Sequence, residues 1–568
     1  MPLRTSGRLL VIPLVAMLVA CAPGAAPPAG QQAPSQPQTA TGPKRLTLAV
    51  VSEPVGFSLA VETQRISVTQ AGLAYFVFPG LTVQDHQEAL HATVGEAVPS
   101  IENGLWKLLP DGRMEVTYPI RQGALWHDGV PLTGEDLVFT VDVVNDKELP
   151  QFHMLGLELI DHVEARGNSA VVTWKQPFAN ADQLFSMIGN SSRSVPLPKH
   201  LLQQDYLNNK ATFTELRYWS DEFVGIGPYR LKDWNRGSHL TLQAFDKYVL
   251  GRPKIDEIEV KFIPDGNTMV ANMMSGGIDM PYGSIVGLDQ AVTIKEQWKD
   301  GTVAMDPSGW VVAYAQMIDP TPRVVLNVQF RRALMYATDR QQLTDTLMQG
   351  LLPIADSVFS PGTAEFDATK SGIVHYEYDP ARAVRMIEEL GYTKGADGVL
   401  RDANGPLQME VRSYAQRDIH HKTLFPLVDF WKQAGIAAEP SARTTIQAQD
   451  AREQATFPTF LVLRQGNGLE RLIGLHSGQA RTAERSFQGT NNGRYQNPEM
   501  DALVDRYQAT IPMTERMQVA TQIVRHYGEQ LPTLPLFYDA LPIFISNRVA
   551  NVYPQGNLGW NVHEWDLK

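Results

Sequence analysis

The sequence has little cysteine and no excess of positive charge. Cys21 is the only cysteine among 568 residues, so no disulfide can form within the chain and no cluster of thiolates can bind a metal. The formal net charge is −12, whereas general nucleic-acid binding needs a basic face. We therefore predict no internal disulfide, no thiolate metal site and no nucleic-acid partner.

Catalytic motifs are also absent. No Gly-x-Ser-x-Gly, Ser-x-x-Lys or His-Glu-x-x-His sequence occurs. The adjacent His420 and His421 would point in different directions on a helix or strand, which favours a surface pair over a metal-binding pair. The sequence thus predicts a protein that is not an enzyme and that needs no metal or other cofactor. Catalytic carboxylates need no motif, so an enzyme remains an alternative.

The N-terminus has the features of an export signal. Arg4 and Arg8 precede an apolar run from Leu9 to Ala20, which is about 12 residues long and too short for the ~20 residues of a membrane-spanning helix. The run ends in Leu-Val-Ala followed by Cys21, which resembles the cleavage site of bacterial lipoproteins. We expect residues 1–20 to be a signal peptide and Cys21 to carry the lipid. A plain secretory signal with a coincidental cysteine is the alternative.

The segment after Cys21 is a predicted tether. Residues 22–43 are Ala, Pro, Gln, Gly, Ser and Thr, without charge or large apolar side chains, and cannot bury enough surface to fold. No later apolar run is long enough to span a bilayer. Residues 21–43 are therefore interpreted as a lipidated cysteine with a flexible tether, holding an exported body at the periplasmic or extracellular face of a bacterial membrane.

Strands and helices alternate along the globular body. Apolar residues alternate with polar ones from Met114 to Ile120, which predicts a strand with one buried face. Thr133 and Asp136 resemble a capping box before a helix, and Asp379 can cap a helix that begins at Pro380. Mixed elements of this kind indicate an α/β fold.

Five ordered blocks carry a resemblance to a known family. They are Tyr118–Asp136, Gly225–Trp234, Phe330–Arg340, Tyr378–Tyr392 and Asn497–Asp501. Together they resemble the bacterial extracellular solute-binding proteins of family 5, which take up peptides, nickel and related solutes for ABC importers. Within the first block, His127-Asp128 could be a metal pair, although a turn is the favoured interpretation.

The resemblance implies a periplasmic-binding-protein-like fold with two lobes and two hinge crossings. The implied ranges are 44–77, 212–312 and 538–568 for lobe one, 78–211 for an extra domain within it, and 313–537 for lobe two. We expect the crossings near Val311 to Met317 and near Leu536 to Asp539. Solute would bind between the lobes, and closure would bury it.

The resemblance also implies where solute contacts lie. The candidate ligand-binding residues are Glu62, Thr63, Gln64, Trp310, Arg464, Gln465, Asn467 and Tyr538. Many peptide-binding relatives carry an aspartate in the segment that here reads Arg464 to Gly468, so we expect Arg464 to face the cleft and attract a carboxylate or a planar group. Tyr538 is expected on the opposite wall, and Glu470 could restore an acidic contact.

The implied function is capture of a peptide or similar small solute and its delivery to the permease and ATPase of an ABC importer. The protein is expected to be a monomer, attached to the membrane through its lipid only. An exported binding module without transport, such as a chemoreceptor partner or a chaperone-like peptide binder, is the alternative.

Overall fold

The computed structural model of this chain describes most of the predicted globular body. The described ranges are 42–58, 68–149, 152, 156–188, 194–283, 286–414, 418–444, 447, 450–468 and 470–568. The predicted residues Cys21, Glu62, Thr63 and Gln64 lie outside these ranges. No helix in the described ranges is both long enough and apolar enough to cross a membrane.

The strands lie in three main sheets and several short ribbons. In chain order they are β1 (Arg45–Val50), β2 (Thr82–Gln84), β3 (Leu90–Ala92), β4 (Trp106–Leu108), β5 (Met114–Pro119), β6 (Ile160–Ala165), β7 (Ser169–Trp174), β8 (Tyr229–Asn235), β9 (His239–Ala244), β10 (Glu257–Phe262), β11 (Met280–Pro281), β12 (Gly301–Ala315), β13 (Thr393–Lys394), β14 (Leu400–Asp402), β15 (Gly405–Pro406), β16 (Gln408–Tyr414), β17 (Ala437–Arg443), β18 (Phe460–Gly466), β19 (Thr533–Ser546), β20 (Val549–Ala550) and β21 (Asp566–Leu567).

The helices are distributed along the whole described chain. They are α1 (Val68–Val77), α2 (Gly134–Val144), α3 (Lys199–Asn208), α4 (Gly266–Met274), α5 (Leu288–Gln297), α6 (Val328–Ala337), α7 (Arg340–Leu347), α8 (Ala364–Thr369), α9 (Pro380–Glu388), α10 (Asp418–Gln433), α11 (Ala451–Ala455), α12 (Glu470–Ile473), α13 (Pro498–Ala509) and α14 (Met513–Gln530).

Local patterns predicted these elements correctly. The strand with one buried face is β5, in which buried and half-buried residues alternate. The backbone N–H of Thr133 donates to Asp136 Oδ2 at 2.9 Å, so the capping box at α2 is confirmed. Asp379 Oδ1 accepts from the backbone N–H of Arg382 at 2.8 Å, which confirms the cap of α9.

Three sheets organise the body. Sheet 1 has the strand order β11-β1-β10-β9-β8, sheet 2 the order β17-β16-β18-β12-β19, and sheet 3 the order β4-β5-β7-β6. In sheet 1, β1 runs parallel to β10 and to β11. In sheet 2, β12 runs antiparallel to both of its neighbours, β18 and β19.

Sheets 1 and 2 are each buried on both faces. In sheet 1, Leu48 belongs to one apolar core and Ala49 to another. In sheet 2, Val311 and Trp310 likewise belong to different cores. Successive strand residues point to opposite faces, so apolar residues at adjacent positions require apolar layers on both sides.

Strands β12 and β19 contribute residues to cores beside both sheet 1 and sheet 2. Val303 of β12 and Phe544 of β19 pack in a core beside sheet 1, whereas Val311 and Phe537 pack in a core of sheet 2. Their pairing has two register shifts, one between Asp306 and Gly309 and one between Val311 and Val312. A bulge bends a strand and weakens the ladder locally, so the two strands can flex at these interruptions.

Candidate functional site

Four of the predicted contact residues lie close together in sheet 2, just after the register shift between Asp306 and Gly309. Trp310 of β12 lies opposite Gln465 of β18 on one side and opposite Tyr538 of β19 on the other. Arg464 lies opposite Val311. Because directly paired residues share a face, Trp310, Gln465 and Tyr538 lie on one face of sheet 2 and Arg464 lies on the other.

Arg464 is held in a buried ion pair. Its Nε donates to Asp539 Oδ2 at 2.6 Å, and the two side chains are only 7% and 8% exposed. Gly309 lies between them in the sheet, and a Cβ there would lie 2.4 Å from Arg464 Cζ. The missing side chain at this position therefore gives the guanidinium room to reach Asp539. The positive charge of Arg464 is balanced within the protein, and its contact with a solute stays a prediction.

Two expectations about neighbouring side chains are wrong. Tyr538 and Arg464 do not face each other from opposite walls, because β18 and β19 flank the same strand of one sheet. His420 is buried rather than on the surface. Its Nδ1 contacts the carbonyl oxygen of Tyr414 at 3.1 Å, and its Nε2 accepts from the backbone N–H of Arg464 at 2.9 Å. His420 is thus neutral, with its proton on Nδ1, and it fixes the backbone of β18.

The hydroxyl of Tyr538 is used by the protein itself. It contacts the carbonyl oxygens of Phe359 at 2.6 Å and Ser357 at 2.9 Å. Burial raises the pKa of Tyr538, so the hydroxyl keeps the proton that it donates. Tyr538 therefore fastens the 357–359 segment to sheet 2.

Asn467 and Gln465 also have partners in the protein. Asn467 Nδ2 donates to the carbonyl oxygen of Pro307 at 3.1 Å and to the hydroxyl of Ser360. Gln465 Oε1 accepts the hydroxyl of Tyr314, which leaves the amide N–H groups of Gln465 for other acceptors. These contacts connect the end of β18 to the interrupted part of β12.

A cavity lies on the Trp310 face of sheet 2, between the sheet, helix α14 and the loops that follow β18. Its lining includes four aromatic residues and several polar ones: Trp310, Tyr314, Tyr495, Tyr527, Gln465 and Arg471. Trp310 is only 2% exposed and its ring centroid lies 6.0 Å from that of Tyr527. Among the described residues that line the cavity, none is an aspartate or a glutamate.

Two buried donors at this cavity have no acceptor among the described residues. They are the indole N–H of Trp310 and the hydroxyl of Tyr527. A buried polar group without a partner costs about 1–3 kcal/mol, so proteins rarely bury such groups without a reason. The cavity therefore presents free donors to whatever enters it.

Sequence reasoning found Trp310 and Gln465 at this cavity but missed Tyr314, Arg471, Tyr495 and Tyr527. The two-residue spacing from Trp310 through Val312 to Tyr314 could have indicated that Tyr314 shares the face of Trp310. The other three come from segments whose proximity no local pattern reveals. Among the residues in the described ranges, no group of three or more His, Cys, Asp or Glu side chains could hold a metal ion.

Comparison with known proteins identifies the family. The family model for bacterial extracellular solute-binding proteins, family 5 Middle, matches residues 96–471, which is more than half of the chain. The chain belongs to this family. The resemblance drawn from the five sequence blocks is thereby confirmed, and the family's members are solute-binding proteins rather than enzymes.

Individual relatives are similar over most of their length. The oligopeptide-binding protein AppA of Bacillus subtilis (strain 168) is 22% identical, over 92% of this chain and 91% of AppA. The solved structure of AppA in complex with a nonapeptide has a TM-score of 0.73 at 20% identity, covering 93% of this chain and 100% of AppA. NikZ from Campylobacter jejuni, in complex with Ni(L-His), has a TM-score of 0.74 at 20% identity, covering 92% of this chain and 99% of NikZ. These likenesses confirm the periplasmic-binding-protein fold class.

Proposed function

We propose that this protein captures a peptide or similar small solute outside the cell and delivers it to the permease of an ABC importer. The observation that carries the proposal is family membership, shared with relatives that include an oligopeptide-binding protein and a nickel-binding protein. Both names describe binding rather than catalysis.

The arrangement of β12 and β19 supports capture by closure of two lobes. These paired strands contribute residues to the cores beside sheet 1 and sheet 2, and their register is interrupted between Asp306 and Gly309. We propose that the hinge lies at this interruption, a few residues before the predicted crossing near Val311. A change of φ and ψ at a few strand positions would then open and close the lobes. Solute would shift this equilibrium toward the closed form, which the permease would recognise.

Retention of solute is the direct test. The mature protein is purified without denaturation, incubated with a protease digest of casein, and separated from free peptides by gel filtration. Native mass spectrometry then identifies whatever remains bound. We expect discrete peptides or a copurified solute at one molecule per chain, and radiolabelled uptake of that solute should fall in cells that lack the gene. A protein that retains no peptide and no copurified solute would contradict the proposal.

We further propose that Cys21 carries the lipid that holds the protein at the membrane. The basic start, short apolar run and sole cysteine support this anchor. Cys21→Ser should move the protein from the membrane fraction to the soluble exported fraction, because buried acyl chains supply about 0.8 kcal/mol per methylene. Immunoblots of fractionated cells measure the change, with Ala22→Ser as the matched control. Equal membrane recovery of both variants would refute the anchor.

A further inference from the structure

The described lining of the cavity beside Trp310 has hydrogen-bond donors and positive charge but no aspartate or glutamate. Trp310 and Tyr527 each supply a buried donor without a partner among the described residues. Gln465 uses its oxygen to accept from Tyr314, so its amide N–H groups are the part of the side chain that can bind a solute. An acceptor-rich group would satisfy these donors, whereas an ammonium would find no counter-charge among the described lining residues.

Two arginines give the cavity its charge. Arg471 lines the cavity, and its Nε donates to the carbonyl oxygen of Gly466 at 3.1 Å. Nearby Arg481 is bonded to three neutral oxygens, those of Phe487, Gln454 and Asn492. Neither guanidinium has an ion pair with any described residue, in contrast to Arg464, which is bound to Asp539. Of these three arginines, the two without a carboxylate partner among the described residues are therefore Arg471 at the cavity and Arg481 near it.

The tyrosine hydroxyls at the cavity have raised pKa values and keep their protons. Burial raises the pKa of Tyr527 well above its ordinary value, so its hydroxyl remains a donor at neutral pH. Burial also raises the pKa of Tyr314, and the charges of Arg471 and Arg481 oppose that rise. The same positive field that favours a tyrosinate would favour any anion placed there.

We propose that this cavity binds the carboxylate of the solute, carried on an aromatic or other planar group. Arg471 supplies the counter-charge, and Trp310 N–H and Tyr527 O–H donate to the carboxylate oxygens. The cavity volume of about 40 Å³ holds the carboxylate, and the planar part of the solute extends out of the cavity. The inference rests on the proposed solute capture and names the class of solute: one that ends in an aromatic or planar acid.

The test uses benzoate as the probe, with benzylamine as its cationic counterpart. The protein contains 10 tryptophans, so it is labelled with 5-fluorotryptophan and the Trp310 signal is assigned as the ¹⁹F resonance missing from Trp310→Phe. Benzoate should shift the Trp310 resonance with saturation, and benzylamine should not. Absence of a benzoate shift, or an equal response to both probes, would overturn the inference.

Substitutions identify the groups responsible. Arg471→Gln should weaken benzoate binding about tenfold or more, because it removes a charge-assisted hydrogen bond, and Arg471→Lys should recover part of the loss. Tyr527→Phe should weaken binding a few-fold by removing one neutral donor. Arg485→Gln is the control, because Arg485 is exposed and does not line the cavity. Binding of benzoate that is unchanged in Arg471→Gln would contradict the assignment.

The two proposals can fail separately. A Trp310 response to benzoate without retention of any solute would leave the carboxylate site standing and remove solute capture as the function. Retention of casein peptides with no response to benzoate would support capture and refute the carboxylate site. Circular dichroism of each variant verifies that a lost response does not come from unfolding.

Discussion

At the scale of single residues, His127 shows how a family motif acts through the backbone. It is buried and makes two hydrogen bonds to another block of the sequence. Its Nδ1 accepts from the N–H of Gly225 at 3.1 Å, and its Nε2 faces the carbonyl oxygen of Gly227 at 3.0 Å. The ring is therefore neutral, with the proton on Nε2, and it ties the turn after β5 to the residues before β8.

His127 should make stability depend on pH. Burial lowers its pKa from 6.5 to about 4, so the unfolded chain takes up a proton at this histidine at a higher pH than the folded protein does. The stabilisation is complete above pH 6.5 and is lost as the pH falls toward 4, by roughly 3 kcal/mol in total. His127→Asn should flatten this part of the pH profile.

Urea unfolding at pH 7.5, 5.5 and 4.5 measures the pH profile of His127→Asn. His162→Asn is the matched control, because the His162 side chain is 65% exposed and lies outside the contacts of His127. The decisive quantity is the slope of the unfolding free energy against pH rather than its absolute value, because His127→Asn also loses packing at neutral pH. Identical slopes in the wild type and His127→Asn would show that another group controls the acid response.

At the scale of elements, β12 depends on a glycine beside an ion pair. The guanidinium of Arg464 occupies the space in which any side chain at Gly309 would begin. Gly309→Ala should displace it from Asp539 and leave two buried charges poorly paired, at a cost of about 3 kcal/mol. Thermal or urea unfolding measures this loss, and we expect solute retention to weaken with it because the pair lies beside the proposed hinge.

A double-mutant cycle separates this steric effect from a general defect in β12. In an Arg464→Met background the guanidinium is gone, so Gly309→Ala should cost much less than it does in the wild type. The difference is the coupling between position 309 and the ion pair. An equal cost in both backgrounds would mean that the backbone at Gly309, rather than Arg464, makes the glycine necessary.

At the scale of the whole molecule, helices α13 and α14 contact the part of the chain near sheet 3. Arg516 Nη1 donates to the carbonyl oxygen of Ala179 at 2.9 Å, and the N–H of Ala179 donates to the carbonyl oxygen of Gln508 at 2.6 Å. Ile511 packs against the core that contains Phe178 and Ala181. Burial raises the pKa of Asp182 to about 6, and the nearby charge of Arg516 opposes the rise.

This contact is expected to favour the closed arrangement of the lobes. Arg516→Met should remove the bond to Ala179 and open the solute-free protein, which small-angle X-ray scattering would record as a larger radius of gyration. Arg525→Met is the control on the same helix, because Arg525 Nη2 bonds Ser371 at 2.9 Å, within the range predicted for lobe two. Equal radii for the two variants would show that this contact does not influence closure.

The sequence by itself determined the family, the mixed α/β class and many element boundaries. These follow from signals that are local along the chain: the alternation in β5, the caps at Thr133 and Asp379, and the order of five conspicuous blocks. A cap or an amphipathic strand depends on residues only a few positions apart, so short windows contain the information.

Only the tertiary structure decided which partners the candidate site residues have within the protein. The sequence predicts that Arg464 faces the cleft and attracts a carboxylate or a planar group. The placement of β18 and β19 on either side of β12 brings Asp539 to Arg464, where it balances the charge. The cavity that joins Trp310 to Arg471 and Tyr527 likewise depends on the strand register and on the packing of α14 against sheet 2. Strand register sets which side chains share a face, and it is fixed by contacts between segments far apart in the sequence, which no local pattern encodes.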